Sequence, residues 1–180
     1  MGKVTAAILG LGESVSLYRD EFDITIGVND IWRYVCTDYL VCVDKRDVFT
    51  PDRLQVIDNS RPARFYSQLD CWSDRPDFHR IDLEIGYPEY VCQLKLKTIP
   101  KSIISPFVAA AIAYKFHEAK EIHLFGVDLQ THWKFNPEHA DRVAKIYTHF
   151  RNFRDALAKD GGSLHVHGNG ALKGLEIFCR

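Results

Sequence analysis

Short apolar runs that end in glycine or a polar residue recur along this chain. They lie at 3–9, 22–28 and 38–43, and again at 122–125 after a long apolar helix pattern. Runs of this length are typical of strands buried on both faces of a parallel sheet. The pattern therefore predicts an α/β protein: a single Rossmann-like domain over 1–180, with a mostly parallel sheet flanked by helices.

The segment 102–130 combines a helix pattern with a strand pattern. Ser105 suits an N-cap, and Pro106 suits the first helical position, where a missing N–H costs nothing. The strand at 122–125 then runs into Gly-Val-Asp, which ends in Asp128. Ligands of open α/β sheets bind at the carboxyl ends of strands, so Asp128 is a candidate site residue.

A glycine loop follows the first predicted strand. Gly10 and Gly12 would permit positive φ and a close approach of backbone amides to a ligand, and Ser14 can begin a helix. Amides that converge at a helix start suit an anion such as a phosphate. The loop lacks the third glycine of the dinucleotide fingerprint, and a tight turn without a ligand stays open as its alternative.

Polar or glycine residues end the other predicted strands as well. Asn29 follows the second strand, Asp44 the third, and Gly126 the strand at 122–125. Each of them alone is often a turn residue or a helix cap. Because carboxyl ends of parallel strands share one edge, these residues are predicted to form a single rim with the glycine loop.

The remaining stretches are less regular. A long surface excursion is predicted at about 67–100, with an edge strand at 90–97 whose lysines would discourage aggregation. A long amphipathic helix is predicted after Asn136, and a last strand at 163–167.

Composition excludes several function classes. The 180 residues carry a formal net charge of −1, which gives no general reason to bind nucleic acid or an anionic membrane. No apolar stretch has the length of a membrane span or the form of a signal peptide. Five cysteines without C-x-x-C spacing favour a reduced, cytoplasmic protein, and a homo-oligomer stays open.

The histidines raise the question of a metal site. His165 and His167 could chelate as a strand pair, but His132, His139, His165 and His167 lack the helical i, i+4 pair or cysteine partners of zinc sites. No metal ligand is therefore predicted. The sequence also lacks a G-x-S-x-G elbow and a Walker lysine, which disfavours hydrolase and P-loop kinase functions.

Four stretches together resemble a known group of enzymes. GLGES after the first strand, FDITIGVND, VCVD and IISPFVAAAIAYKFHEAKEIHLFGVDLQ resemble bacterial sialyltransferases with a modified Rossmann fold. The same outline is similar to archaeal-type hydroxymethylpterin diphosphokinase-like proteins. The resemblance in the order of elements covers most of residues 3–170, and only the last of the four stretches is a specific match.

The resemblance implies a site for a nucleotide sugar, of the CMP-sugar kind. It assigns the donor phosphate and ribose to the glycine loop and Ser14, and nucleotide contacts to Asn29, Asp44 and the loop from Ser102 to Ser105. Asp128 matches the aspartate of the strand-end motif. His139 lies near the histidine that sialyltransferases use as general base, so His139 and Asp128 are the expected catalytic residues.

Three functions follow as hypotheses. The first is a glycosyltransferase in which His139 removes the proton of a hydroxyl acceptor. The second is Mg-ATP-dependent diphosphoryl transfer, for which Asp44, Asp47 and Asp128 are the available carboxylates. The third is a nucleotide-binding protein without catalysis.

Overall fold

The structure is a computed structural model that describes residues 2–84, 98–100, 104–129 and 140–175. Ser102, His139 and the predicted edge strand at 90–97 lie outside these residues. The described strands are β1 Thr5–Leu9, β2 Ile24–Val28, β3 Tyr39–Val41, β4 Arg64–Ser67, β5 Phe78–Arg80, β6 Asp82–Glu84, β7 Thr98–Pro100, β8 Glu121–Phe125 and β9 Ser163–Val166. The described α-helices are α1 Pro51–Asn59, α2 Ser105–His117 and α3 Ala140–Lys159.

The main sheet confirms the predicted fold class. Seven of the described strands form one sheet in the order β5-β4-β3-β2-β1-β8-β9, and every neighbouring pair is parallel. Helices cover this sheet, as expected for a single α/β domain. The central strands β1 and β2 are buried along most of their length, which explains their continuous apolar sequence.

Two apolar clusters lie on the two faces of the sheet. One cluster joins β1 and β8 to α2 and α3 through residues such as Phe107, Phe150 and Phe153. The other joins the same strands to the short helices and to α1, through residues such as Phe65 and Trp72. Helix α2 packs on β1, β2, β3 and β8, α3 packs on β9, and the alanines of α2 at 109–111 and 113 are fully buried.

Within the predicted excursion at 67–100, the described residues 67–84 and 98–100 are more regular than predicted. They include a 3-10 helix over Asp70–Trp72, and β5 adds an edge strand to the main sheet beside β4. Strands β6 and β7 pair in parallel as a separate two-stranded sheet. Runs of three residues give no periodic signal, which is why the sequence did not predict these strands.

The start of α2 differs from its prediction by one residue. Ile104 is the N-cap, Ser105 is the first helical residue, and no side chain caps the helix. Every helix among the described residues is too short or too polar to cross a bilayer.

Candidate functional site

The strand order reverses between β1 and β8. From β1 the chain adds β2, β3, β4 and β5 on one side, whereas β8 and β9 lie on the other side. Ligands of open α/β sheets bind outside the carboxyl ends of the strands at such a reversal. The segments that leave the sheet there are 10–14 after β1 and 126–129 after β8.

These two segments pack backbone against backbone. The amide of Gly10 donates to the carbonyl of Phe125 at 2.7 Å, and the amide of Gly12 donates to the carbonyl of Gly126 at 2.8 Å. Gly126 has a φ of +66°, which favours glycine. A Cβ on Gly12 would collide with the carboxylate of Asp128. These glycines therefore allow the two segments to pack closely against each other, apart from any role in ligand binding.

Ser14 and Asp128 connect the two segments through their side chains. The Ser14 amide donates to Oδ2 of Asp128 at 2.9 Å, and the Ser14 hydroxyl donates to Oδ1 at 2.5 Å. The same hydroxyl accepts a hydrogen bond from the amide of Gly126 at 2.8 Å. Both residues are buried. We call this arrangement the Ser14–Asp128 pair.

A turn after β9 completes the surroundings of Asp128. The amide of Ala171 donates to the carbonyl of Asp128 at 2.8 Å, and Gly170 lies against its backbone. Gly168 has a φ of +99°, and a Cβ there would lie 2.5 Å from that of Ser14. Two glycines so soon after a strand are the sequence signal for this close backbone approach.

The glycine loop leaves two amides for a ligand. The amides of Gly10, Gly12 and Ser14 are used in the contacts above, whereas those of Leu11 and Glu13 donate to no acceptor within the described part of the chain. Both lie at the carboxyl end of β1 beside the reversal of strand order. Unpaired, neighbouring amides of this kind can bind an anion.

Asn29 has an unsatisfied polar atom at the end of β2. Its φ is +52°, and its amide donates to the carbonyl of Val41 at 3.0 Å. Its side-chain Oδ1 is buried and has no hydrogen-bond partner among the described residues. A buried oxygen without a donor costs free energy of folding, and the site of an unmade contact is often the site of a ligand. Register places Asn29 on the same edge as Leu11.

Asp44 follows β3 on the same edge. Its backbone carbonyl accepts hydrogen bonds from the indole of Trp72 at 3.0 Å and from the thiol of Cys42 at 3.7 Å. Burial raises the pKa of the Cys42 thiol, so this cysteine stays protonated and acts as a small core residue. Asp44 as a whole is half-buried.

Helix α2 brings its N-terminus towards this edge. The segment that follows α2 meets the amino end of β1, where the amide of Lys120 donates to the carbonyl of Val4 at 3.0 Å. Helix α2 therefore runs antiparallel to the strands, and buried Ser105 lies at its carboxyl-edge end. The positive end of the helix dipole thus points towards the rim.

Comparison with solved structures supports the assignment of the fold. The fold is similar to that of a sialyltransferase. The chain matches the sialyltransferase CstII from Campylobacter jejuni in complex with a substrate analogue, CMP-3FNeuAc, with a TM-score of 0.57 and 15% identity over 99% of this chain and 87% of that one. For a CST-II variant in complex with CMP, the TM-score is 0.59 and the identity is 13%, over 96% of this chain and 85% of that one. For CST-II with a trisaccharide acceptor and CMP, the TM-score is 0.54 and the identity is 15%, over 91% of this chain and 80% of that one.

Neither family models nor characterised proteins match the sequence. The solved structures agree with the sialyltransferase part of the resemblance, and the hydroxymethylpterin diphosphokinase-like part has no support from them. Asp44, Asp47 and Asp128 do not converge as a metal-binding group within the described part of the chain. The carboxylate set for a magnesium-dependent reaction is therefore not assembled there.

The predicted site residues fall into two groups. One edge of the sheet holds those that the structure describes: Gly10, Gly12, Ser14, Asn29, Asp44, Ser105, Gly126 and Asp128. Ser102 and His139 lie outside the described residues. The catalytic role of Asp128 stays a prediction, because the contacts of its carboxylate are with Ser14.

Proposed function

We propose that this protein is a glycosyltransferase that uses a nucleotide-sugar donor, with a CMP-sugar as the favoured donor. The observation that carries the proposal is the Oδ1 of Asn29, which lies on the rim and is buried without a hydrogen-bond partner among the described residues. That oxygen can accept a hydrogen bond from a donor of the ligand, such as a ribose hydroxyl or an amino group of a base. The similar solved structures are complexes with CMP or a CMP-sugar analogue, which supports cytidine as the nucleoside.

The unpaired amides suit the phosphate of such a donor. The amides of Leu11 and Glu13 lie at the end of β1, on the edge that also carries Asn29. In our proposal these amides stabilise the negative charge that collects on the phosphate as the glycosidic bond breaks. Preorganised backbone donors are effective at this task because they need no rearrangement during the reaction.

The transfer itself needs a base for the acceptor. In this proposal the acceptor hydroxyl attacks the anomeric carbon, the bond from that carbon to the phosphate oxygen breaks, and CMP leaves. His139 takes the hydroxyl proton, as the resemblance implies. A base of this kind typically contributes about two to four powers of ten to the rate. The Ser14–Asp128 pair holds the loop that carries the phosphate-binding amides in place.

Thermal melting with nucleotides tests the proposal. We expect CMP at about 100 times its dissociation constant to stabilise the protein by roughly 2.7 kcal/mol, which raises the melting temperature by about 5–10 °C. AMP, GMP and UMP at the same concentration serve as controls and should give smaller shifts. Each of these nucleotides, a CMP-sugar and ATP are measured with Mg²⁺ and with EDTA, and we expect the CMP shift in both.

Two results would contradict the proposal. Absence of a shift with all four nucleotides and with a CMP-sugar would remove the nucleotide site. A shift obtained with ATP only when Mg²⁺ is present would point to phosphoryl transfer instead of glycosyl transfer.

A further inference from the structure

A second group of polar side chains lies on the sheet away from the nucleotide rim. Strands β8 and β9 pair in parallel with His123 opposite His165 and Glu121 opposite Ser163. Alternate residues of a strand point to the same face, so Glu121 and His123 stand beside Ser163 and His165. Glu121 begins β8, whereas the rim lies beyond its other end at Phe125. The group is therefore separate from the proposed nucleotide site.

Three ligand atoms of this group converge. Oε1 of Glu121 lies 3.1 Å from Nε2 of His123 and 3.9 Å from Nε2 of His165. Each of the three residues offers one ligand atom that lies within 4.8 Å of those of the other two. Zinc binds nitrogen and oxygen at about 2.0–2.2 Å in a tetrahedron, which places its ligand atoms roughly 3.3 Å apart. The observed spacing is close to that requirement before any adjustment.

A further histidine orients the central ligand. Nδ1 of His123 lies 2.9 Å from Nε2 of His167. With the His123 proton on Nδ1 and donated to His167, Nε2 carries the lone pair that a metal ion needs. His167 is fixed by stacking on Phe125, with ring centroids 4.0 Å apart and an interplanar angle of 8°. A histidine ligand held through its second nitrogen is the usual arrangement in metal sites.

The geometry points to a divalent transition-metal site, best suited to Zn²⁺, formed by Glu121, His123 and His165. The ring of His165 stacks on that of His123 with centroids 4.4 Å apart, so binding requires His165 to turn its Nε2 towards the ion. Its side chain is 43% exposed, which leaves room for this rotation. The exposed side of the site is open to water, which would complete the tetrahedron.

An ion there would join the edge strand to its neighbour. Strand β9 is the last strand of the sheet and pairs only with β8 among the described strands. The turn that follows β9 carries Gly170 and Ala171 to the backbone of Asp128. A metal ion between β8 and β9 would therefore stabilise the support of the rim without contacting the nucleotide.

Calorimetric titration with Zn²⁺ and thermal melting test this site on the full chain after treatment with EDTA. We expect one high-affinity Zn²⁺ per chain and a rise of about 5–10 °C in melting temperature near 100 times the dissociation constant. His123→Gln and His165→Gln should each weaken Zn²⁺ binding at least tenfold. His79→Gln is the matched control, because His79 is a histidine on β5, the edge strand at the opposite side of the sheet.

The design separates this site from the other groups that bind zinc. Cys36 and Cys71 are exposed thiols and stay unchanged in every variant, so their binding is common to all. Co²⁺ provides a second readout, because its visible absorption reports nitrogen and oxygen ligands in tetrahedral geometry and differs from that of thiolate ligands. Asn29→Gly should leave Zn²⁺ binding unchanged, so failure of the proposed function would not affect this result.

Equal Zn²⁺ affinity in the wild type, His123→Gln and His165→Gln would overturn the proposal. So would the absence of any Zn²⁺-dependent shift in the wild type. If His123→Gln does not fold, Zn²⁺ binding can still be measured on His165→Gln, because His165 is half-exposed. The Co²⁺ spectrum of the wild type then decides whether histidine ligands are present.

Discussion

At the scale of single residues, Asn29 combines two unusual features. It adopts a left-handed backbone conformation with φ of +52°, and its side-chain Oδ1 is buried without a partner among the described residues. Asparagine tolerates this conformation better than most residues, and glycine tolerates it without cost. The neighbouring Asp30 is held by Arg53 at 2.6 Å, so the backbone beside Asn29 is fixed by an ion pair.

Asn29→Gly separates the two features. Glycine keeps the backbone conformation and removes only the side chain, so we expect little change in the free energy of unfolding. Loss of one hydrogen bond to the nucleotide should weaken CMP binding by about tenfold, which corresponds to roughly 1.4 kcal/mol. Calorimetric titration with CMP measures the change.

The matched control is Asn59→Gly, at the exposed end of α1. It makes the same substitution away from the rim, and its CMP affinity should equal that of the wild type. Equal affinity of Asn29→Gly and the wild type would remove Asn29 from the nucleotide site.

The sequence was enough to predict which residues lie at the site, but not which residues contact one another there. Asp128 was identified from an apolar strand that ends in Gly-Val-Asp, and the structure places it at the expected edge. Its partner Ser14 lies 114 positions away, and nothing in a single sequence connects the two. For the same reason His123 was not considered as a ligand, because its neighbour His165 is brought beside it only by the pairing of β8 with β9.

At the scale of elements, strand cores were predicted well and short elements poorly. The predicted strand at 3–9 contains β1, and the one at 22–28 contains β2. The element after the glycine loop is a 3-10 helix over Glu13–Leu17. Its first and last turns close by i→i−3 bonds, from the amide of Val15 to the carbonyl of Gly12 and from the amide of Tyr18 to the carbonyl of Val15.

Ser14→Ala tests how far the Ser14–Asp128 pair holds these elements together. The change removes the hydroxyl that donates to Asp128 and accepts from the amide of Gly126. Both partners are then left buried and unsatisfied, so we expect the free energy of unfolding to fall by about 1–3 kcal/mol. Urea unfolding followed by circular dichroism measures the loss.

Ser16→Ala is the control within the same short helix. The Ser16 hydroxyl is exposed and donates to the carbonyl of Glu13, so its loss should change the free energy of unfolding by less than about 0.5 kcal/mol. Equal losses in the two variants would mean that the Ser14–Asp128 pair adds nothing beyond an ordinary surface hydrogen bond.

At the scale of the whole molecule, a second group of aromatic residues and histidine lies between the end of α2 and strands β3 to β5. There, the ring of His117 at the end of α2 packs at a tilt against that of Tyr39, with ring centroids 4.2 Å apart, and its Nε2 lies 3.1 Å from the hydroxyl of Tyr66. Burial, with a smaller contribution from Arg64, lowers the pKa of His117 below its usual range.

The same causes lower the pKa of His79, whose ring packs edge-on against Tyr66. In both cases the unfolded chain takes up a proton more readily than the folded chain. Below a pH of about 6.5, the ordinary pKa of histidine, protons therefore favour unfolding. Above that pH both histidines are neutral in the folded and in the unfolded chain, and they do not lower the free energy of unfolding. As the pH falls from about 6.5 towards their lowered pKa values, the free energy of unfolding decreases.

Glutamine at position 117 tests this linkage, because it keeps a hydrogen-bonding side chain but takes up no proton. We expect the urea midpoint of the wild type to fall between pH 7.5 and pH 5.5, and His117→Gln to show a smaller fall. Both proteins are measured with EDTA, so that metal binding at β8 and β9 does not contribute. His79→Gln should reduce the remaining fall when it is added to His117→Gln. An identical fall in the wild type and His117→Gln would show that proton uptake at His117 is not linked to folding.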